Sequence, residues 1–188
     1  RSDGAVLTPT DIAADFEVSA GCAQVPPLEI RSRLVFAQKQ ARKIVEFADV
    51  IQSNGLEGFD AFDLTLLNDR VLKDGVTQMT FQQEPDSVIW CVRGDGQVAT
   101  LTYQPDQDVI GWSRQIMGGT FQGGNPVVES VTSIPGQNGA GQFKDSSARD
   151  EVWISVKRDI NGQTKRYIEV LEKSFSADED LQEDAFYV

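Results

Sequence analysis

The stretch Ser87-Val88-Ile89-Trp90-Cys91-Val92-Arg93 is apolar on both sides of a strand. Successive strand side chains point to opposite faces, so Val88, Trp90 and Val92 share one face while Ile89 and Cys91 share the other. A sheet wet on one side alternates between apolar and polar residues, and this stretch does not. Glu151 to Lys157 repeats the feature, with Val152, Ile154 and Val156 on one face and Trp153 beside Ser155 on the other. Such strands belong to a sheet covered on both sides. Stacked sheets supply that cover, and the radially packed blades of a β-propeller supply it for every blade.

The neighbouring sequence organises these runs. From 76 to 117, "VTQMTFQ", "SVIWCVR", "QVATLTY" and "VIGWSRQIM" follow one another through the short turn-rich connectors "QEPD", "GDG" and "QPDQD", which predicts a four-stranded antiparallel meander. "RLVFAQ" (33–38) and "KIVEFADVI" (43–51) predict a hairpin, and "VVESVTSIP" (127–135) a further strand. "EVWISVKRDINGQTKRYIEVLE" (151–172) predicts another hairpin with Asn161-Gly162 at its tip, because Asn-Gly accepts the positive φ angles of a type I′ turn. One helix is expected over "DLTLLNDRVLKDG" (63–75), where Asp63 can cap, Leu64, Leu67, Val71 and Leu72 form a stripe, and Gly75 can end it. "GGTFQGGNP" (118–126) and "GQNGAGQFKDSSARD" (136–150) read as loops. The expected fold class is mainly β: antiparallel four-stranded meanders forming a partial β-propeller-like domain with one short helix. Four-strand units recurring every ~40–50 residues favour blades over a sandwich.

The 188 residues suit one domain or two small ones. No apolar run approaches the ~20 residues of a membrane-spanning helix, so no membrane insertion is expected. The polar start "RSDGAVLTPTDIAADF" has no signal-peptide pattern and no initiator Met, which leads to the expectation of a fragment or a processed chain. A net charge of −12 disfavours a counterion-releasing grip on nucleic acid, although DNA can pass such a surface without adhering. The chain contains no histidine, which removes Ser-His-Asp and Cys-His triads and most zinc sites. Two distant cysteines, Cys22 and Cys91, make no disulfide framework; Cys91 reads as a small buried hydrophobe.

The remaining motifs have structural explanations. Arg93-Gly94-Asp95 spells an adhesion tripeptide, yet "RGDG" falls where a hairpin turn belongs, with Asp95 able to brace it. "GQNGAG" (136–141) and "GGTFQGG" (118–124) lack the Gly-Lys-Ser/Thr of a phosphate loop. "SADEDLQED" (176–184) lacks the spacing of a calcium loop and reads as a solvated linker. Trp90, Trp112 and Trp153 sit mid-strand among apolar residues, which points to packing ahead of sugar stacking. No residue is assigned a catalytic, cofactor-binding or metal-binding role, and the chain is not expected to be an enzyme or to take a small-molecule substrate.

The run from "DLTLLNDRVL" through "GVTQMTFQQEPDSVIWCVRGDGQVATLTYQPDQDVIGWSRQ" (63–115) resembles the phage tail tubular protein B family, the nozzle proteins of short-tailed bacteriophages and related prophages. So do "VESVTSIP" and "DEVWISVKRDINGQTKRYIEVLE" (150–172), and "LTPTDI" (7–12) and "RLVFAQKQARKIVEF" (33–47) fit the same pattern. Members of that family are several times longer, so the resemblance implies an internal piece: a propeller-like domain of two to three blades over 1–172, then an acidic linker or terminal strand segment over 173–188. It implies a structural virion protein of the phage tail, made in the bacterial host cytoplasm. In the full-length protein, copies would form a hexameric ring with other tail proteins, lining the distal channel for DNA ejection without specific nucleic-acid binding. The alternative from another class is a receptor- or carbohydrate-binding β domain of a phage tail or surface protein, since propeller-like folds host both.

Overall fold

The computed structural model describes residues 19–51, 57–135 and 150–171. The segments 7–12, 136–149 and 173–188, on which several of the expectations above fall, lie outside the described residues. Among the described residues, eleven strands form three antiparallel sheets. The first holds β1 (Leu28–Ile30), β2 (Arg33–Ala37), β3 (Ile44–Ile51) and β4 (Glu57–Asp63) in chain order. The second is the expected meander of β5 (Val76–Gln82), β6 (Val88–Arg93), β7 (Val98–Gln104) and β8 (Val109–Gln115). The third orders β9 (Val127–Ile134), β10 (Glu151–Ile160) and β11 (Gln163–Leu171) with β10 central.

The second sheet is covered on both faces, as the residues of β6 require. Ile89 and Cys91, with Ala99, Leu101 and Tyr103 of β7, pack against Val35, Ala37 and Ile44 of the first sheet. Val92 and Val98 turn the other way, onto Val128, Val131, Val152, Ile154 and Val156 of the third, with Trp90 at their edge. Burial pushes the Cys91 thiol up to about 12, so it is an inert neutral group. Cys22 is exposed and both cysteines are free.

The first strands of successive sheets are neighbours, β5 lying between β1 and β9. Side chains tie β5 to β9: the Gln78 amide nitrogen donates to the Val131 carbonyl at 2.9 Å and its oxygen accepts the Val131 N–H at 3.2 Å. The Thr80 hydroxyl accepts the Ser133 N–H at 3.0 Å. These bonds satisfy backbone groups on the outer edge of β9, which would otherwise be open to pairing.

The helix expected over 63–75 does not form. Hydrogen bonds there close over three residues, from Asn68 N–H to Thr65, Val71 to Asn68, Lys73 to Arg70 and Gly75 to Leu72, which makes a chain of tight turns. Leu64 and Leu72 are buried as the stripe required, but Leu67 is 93% exposed. Asp63 directs its carboxylate to the N–H and hydroxyl of Thr65 at 2.9 and 2.5 Å, a local bond that competes with helix. Among the described residues the only helical element is a single 3-10 turn, Pro105–Gln107, and no helix is long and apolar enough to cross a membrane.

Asp63 also yields a pH prediction. Burial alone would raise its carboxyl, but the Lys43 ammonium at 2.6 Å and the two Thr65 bonds outweigh burial and hold it below the usual carboxylate range. A depressed folded-state value stabilises the fold above the unfolded value of about 3.9, and that stabilisation is lost as pH falls through the folded value. Asp63→Asn is therefore expected to unfold at lower denaturant than wild type at pH 7. The gap should close on acidification below about pH 4, read from denaturant midpoints at several pH values.

Candidate functional site

The tripeptide turn is built to hold the sheets together. β6 ends at Arg93, whose N–H donates to the Gln97 carbonyl, while the Gly96 N–H returns to the Arg93 carbonyl at 2.9 Å. Gly96 takes a positive φ of 76°, the left-handed position that closes a three-residue hairpin loop. The Asp95 carboxylate accepts the Gln97 N–H at 3.1 Å, the expected brace. The arginine faces inward: its side chain is only 3% exposed. The guanidinium donates to Asp74 at 2.6 Å and Asp95 at 2.7 Å. An adhesion ligand must present that guanidinium outward, and here it is spent inside the fold.

None of the three tryptophans offers an exposed platform. The Trp90 indole N–H donates to Gln82 at 3.0 Å, Trp112 to the Leu64 carbonyl at 2.8 Å and Trp153 to Glu151 at 2.9 Å, and all three are half-buried. Buried indoles find such partners as part of packing. Phe121 of the "GGTFQGG" segment closes a tight turn with Gly124, and the Lys157 ammonium sits 4.5 Å above its ring. That segment is a packed turn over β10.

Between the first two sheets lies a polar group that composition did not reveal. Glu46 of β3 stands opposite Val35 and Phe62 in the strand register, and its side chain is only 5% exposed. Its partner is the Arg33 guanidinium, itself about one-third exposed. The Tyr103 hydroxyl is buried nearby without a hydrogen-bond partner. Burial first, and then the Glu46 carboxylate, push its phenol up, so it stays neutral. Arg33 and Glu46 belong to adjacent strands of the first sheet and Tyr103 to the second, and the chain has no histidine to accompany them. Among the described residues no group of three acidic or thiol side chains is placed to hold a metal.

The two ends of the strands differ in charge. The turns β1–β2, β5–β6 and β7–β8 meet around a concavity of about 460 Å³ that includes Glu29, Arg31, Glu84 and Asp106. Asp150, just before β10, joins this rim by donating its N–H to the Glu84 carbonyl and accepting from Gln83 N–H at 2.6 Å. The opposite rim gathers the β2–β3 turn, the 64–75 turns and the 93–97 turn. Val76 N–H donates to Ala41 and Gly94 N–H to Gly75. There a concavity of about 550 Å³ is lined by Lys39, Arg42, Lys43 and Asp69. The strand alternation gave no sign of this polarity; listing charges turn by turn would have. In comparisons with known proteins, the chain matches no family model and no curated protein.

Proposed function

We propose that this chain is a structural part of the tail nozzle of a short-tailed phage or prophage, contributing to the distal channel through which DNA leaves. The observation that carries the reading is the succession of sheets. Three antiparallel meanders follow one another in chain order and their first strands are neighbours, β5 between β1 and β9, the arrangement that successive propeller blades adopt. The runs 63–115 and 150–172 that resemble nozzle proteins are the ones that build the second and third sheets. Side chains that carry chemistry elsewhere act here as mortar: Arg93 ties turns together, Trp90, Trp112 and Trp153 pack, and Arg33 with Glu46 links two strands of the first sheet. A net charge of −12 repels phosphate, which favours passage of DNA over retention.

Immunogold electron microscopy tests the placement. An antibody against this chain, applied to intact particles from cells carrying its gene, is expected to mark the distal tip of a short tail. Label confined to the capsid, or to cell-surface material without particles, would overturn the reading.

A further inference from the structure

We infer that the concavity where the β1–β2, β5–β6 and β7–β8 turns meet is a binding site for a neutral saccharide of one or two rings. Its volume of about 460 Å³ falls in the range of small-molecule sites, about 300–1,000 Å³. Ile30 and Phe81, both packed into the first core, give it an apolar wall. Gln83, Gln104 and Gln107 bring amides to the lining, and Glu29 and Glu84 bring carboxylates. Among the described residues, none of these five side chains has a protein hydrogen-bond or ionic partner. The backbone that carries them is pinned. The Asp150 carboxylate accepts the Gln83 and Glu84 N–H groups at 2.6 and 3.2 Å, and the Asp150 N–H donates to the Glu84 carbonyl at 3.0 Å. The Ser87 hydroxyl donates to the carbonyl of Tyr103, the residue before Gln104, at 2.7 Å. Polar side chains that seek partners on a fixed backbone can take a ligand at little cost in backbone ordering.

The lining discriminates among ligand chemistries. Glu29, Glu84 and Asp106 outnumber Arg31, which is itself paired with Asp106, so a phosphate, sulfate or uronate is repelled. Among the described residues no three acids are placed to hold a metal ion. An ammonium group has three donors and no acceptor, and would leave the amide donors of three glutamines without acceptors. A sugar hydroxyl both donates and accepts, so it can serve the carboxylates and both ends of each amide. The carbon-bound face of a pyranose is apolar, and Phe81 offers an aromatic ring for it to pack on. Nothing in this lining depends on placement in a phage tail.

Amide-resolved NMR of the labelled full chain tests it. The neutral probes are maltose, lactose, cellobiose and N-acetylglucosamine, with glucuronate as the anion and putrescine as the amine. At least one neutral sugar at millimolar concentration is expected to shift the side-chain amide signals of Gln83, Gln104 and Gln107, and glucuronate is not. Gln104→Ala with Gln107→Ala should weaken that sugar on the order of tenfold or more, as the loss of two or more hydrogen bonds does. Phe81→Leu should weaken it as well. Glu29→Gln with Glu84→Gln keeps the shape and an acceptor at each position, so it should retain the sugar within a few-fold. Circular dichroism and thermal unfolding check that each variant folds. The inference fails if no neutral probe shifts those signals. It fails equally if putrescine binds in their place and is lost in Glu29→Gln/Glu84→Gln. Sugar shifts that survive both Gln104→Ala/Gln107→Ala and Phe81→Leu undiminished would put the sugar elsewhere and overturn it too. Each of these results leaves the immunogold test of the tail placement to stand or fall separately.

Discussion

Arg33→Ala is expected to destabilise the fold by about 3–5 kcal/mol, the loss typical when one partner of a buried ion pair is removed. The effect comes from what is left behind. Glu46 sits at 5% side-chain exposure, opposite the buried Val35 in the strand register and close to Tyr103 of the second sheet. Without the guanidinium its charge has no ionic partner in a site that water barely reaches. Glu46→Ala should cost less, because the abandoned Arg33 is about one-third exposed and can turn its head to solvent. The pair Arg33→Leu/Glu46→Leu should recover most of the loss, since an apolar pair of similar volume removes both desolvation penalties. Urea unfolding of the four proteins checks the order. An Arg33→Ala variant within about 1 kcal/mol of wild type would show that the pair behaves as an exposed one.

Gly96→Ala is the second large effect. A Cβ at Gly96 would lie 2.6 Å from Val127 Cγ1 and 3.1 Å from the Val127 Cα, on a backbone with φ of 76°. The left-handed conformation costs an L-residue about 1–2 kcal/mol, and forcing extra volume into a packed contact adds about 1–3 kcal/mol. Val127 is the first residue of β9, so the clash pushes the third sheet away from the 93–97 turn. It also strains the bond from Val128 N–H to the Gly96 carbonyl at 2.8 Å. Gly162 supplies the matched control, since its φ is 74° but nothing lies within 4 Å of the added Cβ. Gly162→Ala should show the conformational cost alone. Comparable melting temperatures for the two variants would mean that the turn does not bear on β9.

Much of this architecture was legible in the sequence, and what was missed has physical reasons. Asn161-Gly162 announced its hairpin, and the structure gives both residues positive φ, 51° and 74°, with Ile160 paired to Gln163. The two-sided apolar pattern of Ser87 to Arg93 announced cover on both faces, and the two cores divide its residues as alternation assigns them. β4, "EGFDAFD", was missed because it mixes acids and glycine with aromatics that stay exposed, Phe59 and Phe62 at 45% each. β1 was missed because three residues are too few for a period. The expected helix at 63–75 met the i, i+3, i+7 spacing with real leucines, yet Asp63, Thr65 and Asn68 offer the backbone local turn bonds. Such bonds leave no mark on a hydrophobic stripe. The inward-facing charges were hidden for a related reason. Glu46 alternates with Val45 and Phe47 as an outward residue would, and only the packing of two sheets reveals that its face is the buried one. The charge difference between the rims depends on which turns meet in space, and strand pairing has to be known before those turns can be grouped.

The central claim is that the inner strands of the second sheet, β6 and β7, are enclosed between the other two sheets, and that their side chains build the two cores. Native-state hydrogen exchange tests it most directly. Amides of β6 and β7 that pair within that sheet should exchange only through global unfolding, with the full unfolding free energy. Those on the outer edges of β8 and β11, whose residues are largely exposed, should exchange through local opening at far lower cost. Exchange from Ile89, Cys91 and Leu101 as fast as from the β8 edge would contradict the account, because a sheet open on either face could not protect them so unequally.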